Sequence, residues 1–371
     1  MNMKRSQRGL SLVELMIAMV IGLILMTGVL QIFIGSKRVY TTQDALSRIQ
    51  ENGRLAIDFI VRDTRMAGYA GCASGYNSSL HNGLNVNMAT ASQRLLYDFE
   101  VPIEGLDNVG SISGWGSGVA PVNGTDVLFV RGAFTGDIGI KANNSSGNLR
   151  AETNSPVVAG VDGGPSCTAN GSVCTNDIVV ISDCAKSRVF QVTTLNADGA
   201  SAALVVHAAS GSPGNAPPAS WGGASAPPEE VFGVESEIQR VSTLAYFIGQ
   251  NTAGRRALYQ RAGSNGSVEL VEGIQDMQIT YGYDTSGDGL PNNYVPASAI
   301  SNTDRATHVT NWEKVVSVHI ALLLQSQEDN IFETPQQITF NSNVVNPAGG
   351  VQDRRLRQVF SSIVGIRSRL D

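Results

Sequence analysis

A long apolar run near the start of the chain sets the first expectation. Residues 15–34 are twenty positions without a charged side chain, and Lys4, Arg5 and Arg8 come before them. A helix of this length spans about 30 Å, the thickness of a bilayer core. Basic residues mark the cytoplasmic end of a span, so the pattern predicts a cytoplasmic N-terminus and the bulk of the chain outside the cytoplasm.

Helical periodicity continues beyond this run. Charged residues fill one face, and the other face carries apolar residues at helical spacing: Leu46, Ile49, Ile57, Ile60 and Val61. The glycines Gly68 and Gly71 are the expected stop signals. The sequence therefore predicts one helix from about Leu10 to about Ala67, in which Gly53 either permits a bend or only weakens the helix.

The remainder alternates in the manner of strands and loops. In the segment 313–326, residues Val316, Val318, Ile320, Leu322 and Leu324 fall on one face. The stretch RRLRQVFSSIVGIRSRL at 354–370 is expected to form a closing strand, and the Gly- and Pro-rich tract 209–230 a loop. A half-apolar helix needs a cover, and a sheet is the expected one. The predicted fold class is α+β.

Composition agrees with a β-rich chain. Among 371 residues there are 40 glycines, charged residues make up 16%, and the formal net charge is −6. Such a balance gives no reason to expect nucleic acid as a partner, because nucleic-acid binding needs a concentrated basic face.

The four cysteines, Cys72, Cys167, Cys174 and Cys184, all follow the apolar run. If that run delivers the chain outside the cytoplasm, disulfides are expected. Four cysteines allow three pairings. The short spacing of Cys167 and Cys174 favours a local loop, which leaves Cys72 with Cys184. A zinc site is the weaker alternative, because there is no C-x-x-C and no nearby histidine.

An acid at the edge of the apolar run, Glu14, needs its own explanation. A carboxylate in lipid costs on the order of 2.5–3.5 kcal/mol, so a plain membrane anchor does not account for it. A secretory signal has a shorter apolar region and a small-residue cleavage site, and neither is present here.

The residues around this acid, RGLSLVEL, resemble the type IV prepilin leader of pilins and type II secretion pseudopilins. The resemblance implies that prepilin peptidase cuts between Gly9 and Leu10 and that Leu10 is then N-methylated. It also implies that Glu14, at the fifth mature position, pairs with the amine of Leu10 or of a neighbouring subunit during assembly. The first mature residue is most often Phe in that family, whereas it is Leu here.

Further segments resemble the PilW group of minor pilins: RMAGYAGC, ISDC before VFQV, LVEGIQDMQITYGYD and the C-terminal stretch. The resemblance implies a long helix packed on an antiparallel sheet and a structural role. The implied segments are a leader at 1–9, a transmembrane half-helix at 10–36, an amphipathic half-helix at 37–70 and a periplasmic β-rich domain at 71–371.

The implied function is type IV pilus assembly, in a complex of minor pilins that primes the filament and can remain at the pilus tip. The implied partners are prepilin peptidase, other minor pilins, the major pilin and the inner membrane. A J-type minor pseudopilin of type II secretion and a tip-located adhesive module with Trp115 or Trp221 in its loops are the alternatives.

Other chemistry is sparse. In DTSGDG, residues Asp284, Ser286 and Asp288 stand where a calcium loop has ligands, but Val295 occupies the position of the bidentate Glu. A Gly-rich hairpin turn is the favoured interpretation, with calcium as the alternative. No nucleophile, phosphate-loop or zinc-protease motif is present, so no enzymatic activity is expected.

Overall fold

The structure is a computed structural model. It describes residues 11–71, 79–87, 90–112, 115, 118–143, 148–152, 157–158, 160, 164–168, 171–199, 202–216, 231–346 and 352–369. Within these ranges one long helix precedes a large, mostly antiparallel β-structure, so the expected α+β fold is confirmed.

Helix α1 runs without interruption over Leu12–Arg65, 54 residues in all. Its C-terminal end follows the usual helix-stop chemistry. Gly68 and Gly71 both take a φ of +75°, which side-chain-bearing residues rarely adopt, and the Gly68 N–H donates to the Arg131 carbonyl. The two predicted stop signals are therefore confirmed, and Gly53 introduces no break.

The buried stripe of α1 is made largely of small residues. It contains Ala45, Ile49, Gly53, Ala56 and Ile60, which recur every three to four positions. The predicted core residues Ile49, Ile60 and Val61 are buried, whereas Leu46 is 37% exposed. Leu46 lies about 100° around the helix from Ala45, so it points away from the stripe.

Nineteen strands and three shorter helices occur in the described ranges. The helices are α2 (Ala91–Tyr97), α3 (Ala297–Ile300) and α4 (Arg305–Glu313), with a 3₁₀ turn at Arg367–Arg369. The strands are β1 (Ser79–Asn82), β2 (Ile103–Val109), β3 (Thr125–Asn143), β4 (Leu149–Glu152), β5 (Val157–Val158), β6 (Cys167–Thr168), β7 (Ile178–Ser182), β8 (Lys186–Gln191), β9 (Thr194–Ala197), β10 (Ala202–Val206), β11 (Glu237–Gln250), β12 (Arg256–Ala262), β13 (Ser267–Glu272), β14 (Ile274–Tyr283), β15 (Asn293–Val295), β16 (Val315–Gln325), β17 (Ile338–Phe340), β18 (Asn343–Val345) and β19 (Arg357–Gly365).

Eleven of the described strands form the main sheet. Its path is β1-β8-β7-β11-β3-β4-β10-β9, with β2 on β3 and with β12 and β13 continuing from β11. Strand β11 is central because it pairs with β3 over 237–247, with β7 over 237–240 and with β12 over 244–250. All of these pairs are antiparallel, while β1 and β8 are parallel.

The four-stranded sheet has the order β15-β14-β16-β19. Its strand β14 lies beside β2 and β3 of the main sheet. Tyr281 of β14 is fully buried there, and its hydroxyl occupies the space above Gly105 of β2, where a Cβ would lie 1.9 Å from that oxygen. The predicted closing strand is confirmed as β19, and Val316, Val318, Ile320, Leu322 and Leu324 of β16 are all buried.

The chain forms two compact units. The first combines residues 1–51 with 325–357, and the second combines 52–324 with 358–371. In the first unit the hairpin of β17 and β18 lies in the 325–357 segment, where Asn346 donates to the carbonyls of Gln336 and Asp353 at 3.1 and 2.9 Å. Arg38 of α1 forms an exposed ion pair with Glu333 of the same unit.

Candidate functional site

The N-terminal end of α1 is closed by a reciprocal pair of hydrogen bonds. The Glu14 N–H donates to the Ser11 hydroxyl at 3.2 Å, and the Ser11 N–H donates to the Glu14 carboxylate at 3.0 Å. This S-x-x-E arrangement is a capping box, which satisfies two N–H groups that a helix end leaves without partners. Gly9 and Leu10 lie outside the described residues, so the cleavage position and the pairing of Glu14 with an amine stay predictions.

The apolar half of α1 has the character of a membrane span. Its most apolar 18-residue window has a mean hydropathy of 2.5, and none of that window is buried within the protein. In the part of the chain that the structure describes, α1 is the one helix that is long and apolar enough to cross a membrane by length and composition.

The C-terminal half of α1 is held to the main sheet by a polar cluster. The Tyr246 hydroxyl of β11 donates to the Asp63 carboxylate at 2.5 Å, and Gln260 of β12 donates to the Tyr246 oxygen at 2.6 Å. The other Asp63 oxygen accepts from Arg62 at 3.1 Å. Burial and the adjacent Asp63 carboxylate raise the pKa of Tyr246, so the phenol stays protonated and remains a donor.

A second contact explains a glycine within this half of the helix. The ring of Phe360, on β19, lies directly against Gly53, where a Cβ would come within 2.6 Å of two ring carbons. The absence of a side chain at Gly53 therefore brings the strand close to the helix axis. The amphipathic segment covering a sheet, as the sequence predicted, is confirmed for the part of α1 from residue 52 onward.

A buried ionic network joins β2, β3, α2 and α4. Glu104 and Arg131 are both fully buried and their side chains lie 2.8 Å apart. Arg94 also pairs with Glu104, and the His308 ring lies 3.3 Å from the same carboxylate. Burial by itself would raise the pKa of Glu104, but the hydrogen bond to His308 and the charges of Arg131 and Arg94 outweigh it and lower the pKa to about 2.

Asp126 of β3 links two strands of different sheets. Its carboxylate accepts from the Asn108 N–H at 2.9 Å and from the Ile279 N–H at 2.8 Å. Burial raises the pKa of Asp126 to about 6, and the neighbouring acids Asp107 and Asp276 add to the rise against the two N–H groups. This carboxyl is a structural link between β2 and β14.

Two of the cysteines are joined. Cys167 and Cys174 form a disulfide with their Cα atoms 4.0 Å apart, as the spacing predicted. Cys184 lies in the exposed turn between β7 and β8. Its predicted partner, Cys72, lies outside the described residues, so that pairing stays a prediction.

The DTSGDG loop is organised by its own backbone. The Asp284 carboxylate accepts from the N–H groups of Ser286, Gly287 and Gly289 at 2.6–2.9 Å. Burial is the largest single effect and by itself would raise the pKa of Asp284, but these N–H groups and the Ser286 hydroxyl together outweigh it and lower the pKa. Both carboxylate oxygens thus serve the turn between β14 and β15. Within the described ranges no cluster of three or more His, Cys, Asp or Glu side chains is arranged to hold a metal ion.

The aromatic and histidine candidates are mostly structural. Trp115 packs edge-on against Phe247, and its indole N–H donates to the Val119 carbonyl at 3.0 Å, so it belongs to the core. His308 belongs to the ionic network, and His319 lies within β16. Trp221 lies outside the described residues.

Several of these residues were not singled out from the sequence. Ser11 was detectable, because S-x-x-E at a helix start is a recognised signature. The partnership of Glu104 with Arg131, and that of Asp63 with Tyr246, joins residues 27 and 183 positions apart, so neither leaves a local pattern. The role of Gly53 depends on Phe360, which is equally remote in sequence.

Two family models match the chain. Residues 4–30 match the prokaryotic N-terminal methylation motif, and residues 245–368 match the Type IV Pilus-assembly protein W family. No curated protein and no solved structure matches the chain. The two matches confirm the resemblance to PilW-type pilins and support a role in the type IV pilus. The second matched region begins within β11 and ends in the 3₁₀ turn, so it includes Tyr246, Gln260 and Phe360, which contact α1.

Proposed function

We propose that this chain is a minor pilin that acts in type IV pilus assembly, as one subunit of the complex that primes the filament. One observation carries the proposal: the methylation motif begins a helix whose apolar half is long enough to span a bilayer, and the other half of this helix contacts strands in the region that matches the PilW family. In this proposal the protein is an inner-membrane subunit with a periplasmic domain, and its work is assembly.

Processing comes first in the proposed mechanism. Prepilin peptidase removes residues 1–9, which carry Lys4, Arg5 and Arg8, and the new amine of Leu10 is methylated and keeps its positive charge. The Glu14 carboxylate lies one helical turn from this amine and at the positive end of the helix dipole. It then pairs with its own amine or with that of a neighbouring subunit, which favours docking in register.

Ser11 holds this carboxylate at the helix end. A free acid in lipid would be costly, and the capping box gives its oxygen a backbone N–H partner before any neighbour arrives. Asp63 and Tyr246 join the other end of α1 to the β-structure. Other minor pilins and the major pilin are the proposed partners.

Mass spectrometry of the N-terminus tests the processing step. The full-length chain is expressed with prepilin peptidase as wild type, as Gly9→Val and as Gly28→Val. The last is a matched control, because Gly28 is a glycine of the same apolar segment with open space around it. We expect N-methylated Leu10 at the start of the wild type and of G28V, and an intact leader in G9V. A wild-type protein that begins at Met1, or a processed G9V, contradicts the proposal.

A second experiment tests the assembly step. A host strain that lacks the gene is complemented with wild type, with Glu14→Gln or with Glu51→Gln, an exposed acid of the same helix outside the span. We expect surface pili with the wild type and with E51Q, and few or none with E14Q at equal protein level. If deletion leaves piliation intact but abolishes secretion through a type II system, the pilus assignment is wrong.

A further inference from the structure

An ion pair places a loop from the C-terminal part of the chain beside α1. The Arg38 guanidinium of α1 pairs with the Glu333 carboxylate, and both side chains are exposed. Both residues belong to the first compact unit. The loop 329–333, which ends at Glu333, therefore lies next to the helix at the level of residue 38.

This level is close to the end of the apolar run. Arg38 follows Ile34, the last residue of that run, by four positions, which is about 6 Å along the helix axis. The polar headgroups add about 5–8 Å on each side of the hydrocarbon core of a bilayer. When residues 15–34 span the core, Arg38 and Glu333 therefore lie at the depth of the headgroups.

Apolar side chains are available at this depth on the loop and on the helix. Ile331 and Phe332 come directly before Glu333, and both are partly exposed. On α1, Val39 and Tyr40 are exposed although they lie beyond the apolar run. Tyrosine is enriched at membrane–water interfaces, and a helical side chain leans toward the N-terminus of its helix, which for Tyr40 is toward the span. The loop and the helix thus offer apolar groups to the same layer.

Hydrogen bonds give the loop a defined shape. The N–H groups of Ile331 and Phe332 both donate to the Arg354 carbonyl, at 3.0 and 3.2 Å. The Asp329 carboxylate accepts from the N–H groups of Asn330 and Arg354 at 2.6 and 2.7 Å. The loop is therefore ordered before it meets any surface, and little conformational entropy is lost on contact.

The charges around the loop are nearly balanced. Residues 325–357 carry four acids and three arginines, and α1 adds Lys37 and Arg38. A surface with so small an excess of positive charge gains little from anionic lipid, which attracts clusters of basic residues. The exposed Arg354 can still meet a lipid phosphate, which every glycerophospholipid carries. A bilayer of zwitterionic lipid therefore fits this surface.

We propose that the loop 329–333, held to α1 by the pair of Arg38 and Glu333, contacts the surface of the phospholipid bilayer with Phe332 at the boundary between headgroups and hydrocarbon. The bilayer is the occupant because it surrounds α1 at this depth before any other subunit arrives. This inference rests on the proposed function, since it requires α1 to span the membrane. It adds a second membrane contact that the subunit makes until it enters a filament.

Photo-crosslinking to lipid tests the contact. The full-length chain is expressed with prepilin peptidase and reconstituted in phosphatidylcholine nanodiscs, with a photo-reactive amino acid in place of Phe332, Ile34 or Leu46. Ile34 reports the span. Leu46 is exposed and lies twelve residues beyond Ile34, about 18 Å along the axis and outside the headgroup layer. We expect mass spectrometry to find at least fivefold more lipid adduct at Phe332 than at Leu46.

Two charge reversals test how the loop is held. Glu333→Lys sets a second cation against Arg38, whereas Glu328→Lys makes the same change at an exposed acid of the same segment. We expect the lipid adduct at Phe332 to fall at least twofold in E333K relative to E328K. The exchanged pair, Arg38→Glu with E333K, should restore it. Equal yields in E333K and E328K overturn the inference.

The outcomes separate this inference from the proposed function. If Ile34 is labelled by lipid but Phe332 gives no more lipid adduct than Leu46, the inference is wrong and the proposed function stands. A Phe332 adduct to protein in place of lipid overturns the inference in the same way. If Ile34 gives no lipid adduct, the apolar run does not lie in the bilayer, and the proposed function fails together with the inference.

Discussion

Substitution of Gly53 by alanine sets two opposite effects against each other. In a helix interior, alanine is favoured over glycine by about 1 kcal/mol. At this position, however, the added Cβ would lie 2.6 Å from two carbons of the Phe360 ring and 2.7 Å from a third. The third is the ring carbon nearest the backbone, so a small rotation of the ring does not relieve the contact. Overpacking of this kind costs about 1–3 kcal/mol.

We therefore expect Gly53→Ala to destabilise the protein by about 1 kcal/mol. The sign should reverse when the ring is removed. In a Phe360→Val background, which keeps a good strand former, the same substitution should stabilise the protein by about 1 kcal/mol, because only the helix preference remains. The coupling between the two positions is then about 2 kcal/mol.

Urea unfolding of the full-length protein in detergent micelles measures these differences. Trp115 and Trp312 are both buried, so tryptophan fluorescence reports the loss of the packed β-structure. Linear extrapolation for the wild type, G53A, F360V and the double variant gives the double-mutant cycle. If G53A stabilises the protein that retains Phe360, or if the coupling is below about 0.5 kcal/mol, the packing argument is wrong.

Three more predictions concern buried polar groups. Tyr246→Phe removes the donor to Asp63 and should cost about 1–3 kcal/mol in the same urea assay, and an unchanged midpoint would show that the cluster does not hold α1. Because the pKa of Glu104 is lowered to about 2, its contribution is complete above pH 4.5 and is lost as the pH falls toward 2. Glu104→Gln should cost about 3 kcal/mol at pH 7, and its stability should fall less steeply below pH 4.5 than that of the wild type. The same pH dependence of stability in both proteins would contradict this. The pKa of Asp126 is raised from 3.8 to about 6, so its protonated form favours the folded state. This contribution to the free energy of unfolding is complete below pH 3.8 and falls by about 3 kcal/mol as the pH rises to 6. Urea unfolding between pH 4 and 6.5 should show this decline in the wild type but not in Asp126→Asn. If the free energy of unfolding has the same slope against pH in both proteins, Asp126 is not the group responsible.

The helix was predictable because its signals are local. A charge-free run, a helical period and two glycines at the end follow directly from adjacent residues, and α1 ends within two residues of the expected position. The buried stripe was only partly predictable. It includes small residues such as Ala45 and Ala56 as well as Ile49 and Ile60, so the larger Leu46 attracted an assignment that the structure does not support. Hydrophobicity indicated a face but not its exact centre.

The sheet was predictable as strands but not as an order of strands. The alternation in β16 identified a strand and its buried face, whereas the position of β11 between β3 and β7 depends on pairings between residues far apart in the chain, such as Phe247 with Val127 and Glu237 with Ser182. The calcium alternative shows a related limit. D-x-S-x-D-G specifies oxygen atoms at the right spacing, but whether the Asp284 carboxylate meets a cation or its own backbone N–H groups depends on how the loop folds.

The central place of β11 has a consequence for the order in which the molecule folds. Its partners β3 and β7 precede it in the chain by many tens of residues, and β12 follows it. None of the three strands can therefore complete its pairing until β11 has left the ribosome. Such non-local pairing slows folding and leaves strand edges open in the meantime. Nascent chains that stop short of residue 250 should therefore be the species that depend most on chaperones and that aggregate most readily.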